Sequence, residues 1–305
     1  AHIAPAAPEI EAVLARNRAA LLKARESRVR PGLDDKVLAD WNGLAIAALA
    51  GAAAVFDRAD WLDLARSAFA FITEALGTKD GQLQHSWRGR AQPRAILDDY
   101  AKMARAAMAL FEATGDAAYL EQARHWVGIA IERYWDPQGG FFFTAADAEL
   151  LIARAKNALD QPNPSGNGTL AAVLARLYYL TGEEDYRRRA QATLDAFGGE
   201  VMRYAFAHAS LLNAAELLAK AVQIVVIGRR GEDDTDALLR AAFGQNLPNR
   251  VLTVVAPGTA LPPSHPAHGK QQAANRATAY VCEGPVCSLP LSEASALARD
   301  LANRR

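Results

Sequence analysis

The chain has 305 residues, with 34 Lys and Arg against 34 Asp and Glu and a formal charge of zero at pH 7. Nucleic-acid binders need a basic surplus to displace counterions from phosphates, so the balance disfavours that class. Hydrophobic residues make up 51 %, yet mean hydropathy is only −0.07 because so many of them are Ala; this excludes disorder, collagen and a disulfide-rich scaffold, and favours closely packed helices.

The start, Ala1 to Pro8, has neither the basic flank nor the apolar core of a secretory signal. The longest apolar run, Leu44 to Phe56, falls short of the roughly 18 residues of a membrane span. No membrane partner is expected, and two cysteines in this length point to a reducing, cytoplasmic setting. A first residue that is Ala rather than Met fits a piece of a longer protein. Residues 1–30 read as a linker, marked by Pro5 and Pro8, and a basic helix. In that helix Ile10, Val13, Leu14 and Leu21 keep helical spacing beside Arg16, Arg18, Lys23 and Arg25, a pattern that fits a solvated face.

Residues 31–221 repeat. Trp41-Asn42-Gly43 opens an Ala/Leu helix and Trp61 to Arg66 opens a partner; Asp98-Asp99-Tyr100 is followed by Tyr119 to Arg124, and Gly166-Asn167-Gly168 by Tyr186 to Ala190. The aromatic residues 61, 119 and 186 each stand four before an Ala, at intervals of 58 and 67 residues. A fourth unit begins at His208 without a partner helix. First helices are rich in Ala and Leu and second helices carry charge on one side, as expected of inner helices buried all round and outer ones with a wet face. The fold class is mainly α: an incomplete α/α toroid of helical hairpins. The intervening segments Gly77–Ile96 and Asp136–Pro164 carry Gly beside aromatic residues, as short strand pairs do, and loops of that length are often functional. Residues 222–305 form a small C-terminal α/β appendage. Its elements are strands Ile224–Gly228 and Val251–Val255 around a helix Asp234–Phe243, then a strand Ala277–Cys282 and a last helix from Ser292.

Inner helices that start at Asn42, Asp99, Asn167 and His208 would bring four polar groups to one end of the ring, although Asn and Asp are also ordinary helix caps. Paired carboxylates perform acid–base work on glycosides, which makes Asp99 with Asp35 or Asp160 the hydrolytic candidates. An epimerase needs a base and an acid flanking one carbon, for which His85 and His208 are the nearby imidazoles. Trp41, Trp87, Tyr100 and Phe142 offer flat faces for sugar rings, and Asn42, Arg154, Lys156, Ser165 and Asn167 offer polar contacts. With several carboxylates gathered at inner-helix starts, the expected pocket is acidic and suited to uncharged or cationic polyols. Cys282-Glu-Gly-Pro-Val-Cys287 fits neither a thioredoxin motif nor a zinc ribbon alone; the two thiols are redox-active or structural, and His265 with His268 would complete a two-His, two-Cys metal set. No metal and no cofactor are expected, since no Walker A, HExxH, GxSxG or dinucleotide fingerprint occurs.

The run Arg28-Val-Arg-Pro-Gly-Leu-Asp34-Asp35-Lys36 to Trp41-Asn42-Gly43 resembles thioredoxin domain-containing proteins of the spermatogenesis-associated protein 20 type. Leu97-Asp-Asp-Tyr100-Ala, Gly139-Gly-Phe-Phe, Arg154-Ala-Lys156, Asp160, Pro164-Ser-Gly-Asn167 and Ala279-Tyr-Val-Cys282 with Cys287 match in order. That family resembles the six-hairpin glycosidases and N-acylglucosamine 2-epimerases in its toroid. The resemblance implies a sugar ligand, with epimerisation, glycoside hydrolysis or plain binding as the activity. It also implies a thioredoxin-like domain and earlier hairpins that this sequence does not contain. The alternative is a non-enzymatic protein-interaction domain. A ring of three and a half hairpins would expose inner-helix apolar surface, so self-association is expected.

Overall fold

The computed structural model describes residues 7–149, 152–284 and 286–304. The linker reading at Pro5 lies outside these residues. Two compact units meet in sequence between Lys36 and Val37. The first holds helix α1 (Pro8–Glu26), with Pro at its start, Glu9 and Glu11 in its first turn and Lys23 and Arg25 in its last, all favourable to the helix dipole. It buries no residue, its apolar positions included.

In the second unit, β1 (Val37–Leu38) leads into α2 (Ala39–Phe56) and α3 (Ala59–Ala75). Strands β2 (Gln84–Trp87) and β3 (Ala91–Arg94) follow, then α4 (Leu97–Thr114) with α5 (Ala117–Tyr134) and α6 (Gly166–Thr181) with α7 (Glu184–Arg203). A 3-10 turn, Ala205–His208, precedes α8 (Ala209–Lys220). Helices α2, α4, α6 and α8 pack side by side, and α3, α5 and α7 each lie against the inner helix that precedes them. The result is an open arc of three hairpins and a lone inner helix. Burial follows that division: α6 is buried almost continuously from Gly166 to Ala175, whereas α7 buries only Tyr186, Ala190, Thr193 and Phe197. The alanines marked by the repeat, Ala65, Ala123 and Ala190, are fully buried at the hairpin seams.

Small side chains let the inner helices approach closely. At Gly43 in α2 a methyl group would lie 2.7 Å from the Lys102 carbonyl carbon of α4, a contact with backbone that no side-chain motion relieves. One expectation changes here. By length and composition α2 is apolar enough to cross a membrane, although the apolar run within it looked too short. Its apolarity comes from the alanines of an inner helix packed against α3 and α4, and its first turn carries Asp40.

The first long loop forms the expected strand pair, widened by β1 into an antiparallel sheet of order β1-β2-β3, with Val37 opposite Trp87 and Gln84 opposite Arg94. The second long loop differs. Among the described residues it contains a single bridge, Trp135 to Phe141, because the Asn167 side chain occupies both backbone groups of Phe141.

The C-terminal region comprises β4 (Val222–Ile227), α9 (Asp233–Phe243), β5 (Arg250–Val255), β6 (Thr278–Glu283), β7 (Val286–Cys287) and α10 (Ala294–Ala302). The sheet order is β5-β4-β6-β7; β4 and β5 are parallel, as a βαβ unit requires, and β6 returns antiparallel to β4. Cys282 and Cys287 face each other across β6 and β7 and are disulfide-bonded. That bond consumes the thiolates a two-His, two-Cys metal set would need. The region packs on the C-terminal ends of the inner helices: Arg230 donates to the Glu112 and Ala113 carbonyls at 2.7 and 2.9 Å, and Arg176 to the Arg250 carbonyl at 2.8 Å. Arg230 thereby satisfies carbonyls left open at the end of α4.

Candidate functional site

The N-terminal ends of α2 and α4 and the strand β2 bring five ionisable groups together. Asp99 stands in the first turn of α4, fully buried. Its Oδ2 accepts the Ile96 N–H at 2.9 Å, and both its oxygens lie 3.0 Å from His85 Nδ1 on β2. The first bond satisfies a free amide at the helix start. The second orients the imidazole. His85 Nε2 has no partner among the described residues, and 28 % of the side chain is exposed.

Beside this pair, Lys102 is buried between two carboxylates, with Nζ 3.0 Å from Asp40 Oδ2 and 2.9 Å from Asp98 Oδ2. Asp98 also abuts the start of α6, its Oδ1 filling the space that a methyl group at Gly166 would need. Burial pushes the Lys102 ammonium pKa down, but the two carboxylates outweigh that and hold it above its ordinary value. The hydrogen bond to Asp99 raises the His85 pKa against the opposing effect of burial. Burial also pushes the Asp99 carboxyl up, partly offset by His85. Both shifts act in one sense, so the pair retains its shared proton to higher pH than either group alone.

Oxygens of Asp40 and Asp99 and a His85 nitrogen lie within 4.8 Å of one another, close enough to hold a cation. The bonds already made oppose that use. Asp40 faces an ammonium, and Asp99 receives both an N–H and the imidazole. With Nδ1–H held by a carboxylate, the arrangement is suited to exchanging protons at Nε2.

The remaining sequence candidates disperse. Asp160 accepts the backbone N–H groups of Ser165 and Ser210 at 2.9 and 2.8 Å and the Ser210 hydroxyl at 2.5 Å, which ties the starts of α6 and α8 together. Ser165 caps α6 by accepting the Gly168 N–H at 3.1 Å. Asn167 bonds Phe141 and the Asn157 carbonyl, and Asn42 donates to the Leu38 carbonyl. His208 is buried against α7, its Nδ1 2.9 Å from the Tyr204 carbonyl, and shares no site with His85. Arg154 stacks on Phe142 at 4.2 Å and donates to the Arg133 and Thr144 carbonyls, and Lys156 pairs with Asp136 at 2.7 Å; these contacts pin the second long loop. Tyr100 is buried and accepts the Leu83 N–H, Trp87 packs edge-on to Phe71, and Trp41 is 59 % exposed. Asp35 lies on the exposed segment ahead of β1, in the N-terminal unit.

Lys102 escaped sequence reasoning, and so did the roles of Asp40 and Asp98. The signal was present as Asp98 and Lys102 at i, i+4, acid first, with the lysine flanked by Ala101 and Met103. Apart from this cluster, the inner helices line an open cavity of about 690 Å³, with Arg105, Met108 and Glu112 of α4 and Thr169 and Arg176 of α6 at its wall.

No family model matches the sequence. Among curated proteins, human spermatogenesis-associated protein 20 is 31 % identical over 290 residues, 90 % of this chain, and the rat protein is 30 % identical over 93 % of it. An uncharacterized protein of Caenorhabditis elegans is 27 % identical over 89 %. Similar solved structures include a GH76 α-mannanase of Bacteroides thetaiotaomicron (TM-score 0.49, 18 % identity, 60 % of this chain and 52 % of that one). Another is cellobiose 2-epimerase of Bacillus thermoamylovorans (TM-score 0.46, 14 % identity, 54 % and 45 %). The chain spans 37 % of the length of the human relative. It is a homologue of spermatogenesis-associated protein 20 across nine-tenths of its own length, built as an open arc of helical hairpins.

Proposed function

We propose that the chain carries an acid–base site for a sugar or related polyol, with His85 Nε2 as the group that takes up or delivers a proton and Asp99 as its positioning residue. The observation behind this reading is the His85–Asp99 pair, 3.0 Å apart, with one partner fully buried and the other partly exposed. A fixed tautomer and a raised pKa are what a proton carrier near neutral pH requires. Epimerisation fits better than two-carboxylate hydrolysis, because Asp160 has its oxygens filled by structural donors and Asp99 is sealed from solvent. A panel of aldoses incubated with the chain in D2O tests the idea by proton NMR. Deuterium entry at the sugar C2 that disappears in His85→Gln is expected; no exchange with any sugar, or exchange unchanged in that variant, overturns it.

A second reading, a protein-interaction domain of a longer thioredoxin-linked protein, has its own support. Helix α2 exposes Trp41, Val55 and Phe56, at 59, 47 and 67 %. Apolar side chains gathered on one helix of a soluble fold mark contact surfaces. Self-association would follow from the same surface, and sedimentation velocity across a concentration series measures it; a monomer at every concentration removes that support.

A further inference from the structure

The motif Cys282-Glu-Gly-Pro-Val-Cys287 has no part in the acid–base site, and the fold gives its two cysteines unequal surroundings. Cys282 sits within β6 and is 4 % exposed, while Cys287 stands exposed on β7. One end of the disulfide is therefore open to a reagent from solution and the other is shielded. β7 is also the edge strand of its sheet, whose order is β5-β4-β6-β7.

Little of the fold depends on the bond. It joins residues five apart, and closing so short a loop removes little freedom from the unfolded chain. The chain that follows is held without it: Ser288 N–H donates to the Val281 carbonyl at 2.7 Å, and Ala279 and Leu291 exchange both backbone hydrogen bonds at 2.8 and 2.9 Å. Helix α10 then buries Leu297 and Leu301 against α9. The surroundings also suit an incoming partner. The neighbouring carboxylate, Glu283, pairs with Arg304 at 2.7 Å, which lessens the repulsion that a thiolate meets. Val286 and Leu289 flank Cys287 and are 70 and 83 % exposed, and the outer edge of β7 offers backbone groups to an extended segment. Exposed disulfides are the labile, exchangeable ones, in contrast to inert structural bonds.

We propose that Cys282–Cys287 is a thiol–disulfide exchange site, reduced by a protein dithiol that docks on Val286, Leu289 and the edge of β7 and attacks Cys287. The partner's thiolate forms a disulfide with Cys287 Sγ, the Cys282–Cys287 bond breaks, and Cys282 leaves as a thiolate that takes up a proton. The partner's second thiol, having lost its proton, then attacks the partner sulfur of the mixed disulfide. Cys287 leaves as a thiolate and is protonated in turn. Two electrons pass to this chain, and the partner ends as a disulfide. The site is independent of the acid–base reading, and either can fail alone.

The test treats the full chain, without denaturant, with dithiothreitol or with reduced thioredoxin as the protein dithiol, then quenches with N-ethylmaleimide and weighs the product by mass spectrometry. Both reductants should lead to two added maleimides while the circular dichroism spectrum stays unchanged. At equal dithiol concentration thioredoxin should react at least about tenfold faster. Val286→Ser combined with Leu289→Ser should slow thioredoxin about tenfold and leave dithiothreitol within about twofold. Oxidised glutathione separates the two sulfurs: Cys282→Ser, which leaves Cys287 free, should form the mixed disulfide at least about tenfold faster than Cys287→Ser. A bond that resists both reductants in the folded chain, or reduction accompanied by loss of the folded spectrum, would overturn the proposal. So would thioredoxin no faster than dithiothreitol, an unchanged thioredoxin rate in the double serine variant, or faster glutathionylation at Cys282.

Discussion

Replacing Lys102 by Met removes the cation between Asp40 and Asp98 while keeping most of the side-chain volume. Lys102 is 2 % exposed, and its partners lie at 3.0 and 2.9 Å with 9 and 20 % of their side chains exposed. A buried ion pair adds little over an apolar replacement of both partners, but deleting one partner strands the other, at about 3–5 kcal/mol. Asp98 keeps some contact with solvent, so the lower end, about 3 kcal/mol, is expected. For a body of this size that corresponds to a fall in Tm of about 5 °C. Urea unfolding at pH 7 should show a lower midpoint with an unchanged slope. Adding Asp40→Asn to Lys102→Met should recover part of the loss, since one of the stranded carboxylates is gone. A Lys102→Met protein within about 0.5 kcal/mol of the parent would refute the description of this cluster as a buried, mutually compensated triad.

Gly43→Ala should cost about 1–3 kcal/mol, because the new methyl group meets the α4 backbone at 2.7 Å and the helices must separate; an unchanged thermal midpoint contradicts that packing. Asp160→Ala leaves the Ser165 and Ser210 amides and the Ser210 hydroxyl unmatched, so a loss of about 2–4 kcal/mol in the urea-unfolding free energy is expected, and a neutral result argues against the clamp between α6 and α8. His85 should titrate above its ordinary 6.5 by proton–carbon NMR, and Asp99→Asn should bring it back down. The sign for stability follows: the contribution of a raised histidine is complete below about pH 6.5 and fades as pH rises through the folded-state value, so His85→Gln should matter more at pH 6 than at pH 9.

The family motifs were legible as residues in order, and the repeat was legible as spacing, because helix periodicity and an Ala four residues after an aromatic are properties of one chain segment. Hence the hairpins, their inner and outer order and the βαβ unit could be written down before any contact was known. The site was only half legible. Asp99 and His85 stood out as chemistry-bearing residues, but their pairing depends on β2 crossing the start of α4, fourteen positions earlier in sequence. The repeat also aligned Asn42, Asp99, Asn167 and His208 as equivalent helix starts, while their side chains go to four different partners. One residue along an α-helix turns a side chain by about 100°, so register along the chain does not fix direction around the helix. Asp98, adjacent to Asp99, consequently faces Lys102 rather than His85, and Arg105 lines a cavity that exists only once four separate helices have packed. Sequence by itself determined the helical hairpins, which of their helices are inner, and the βαβ unit. Tertiary packing decided which charges meet, because proximity between helices is set by the close approach at residues such as Gly43 and by no local pattern.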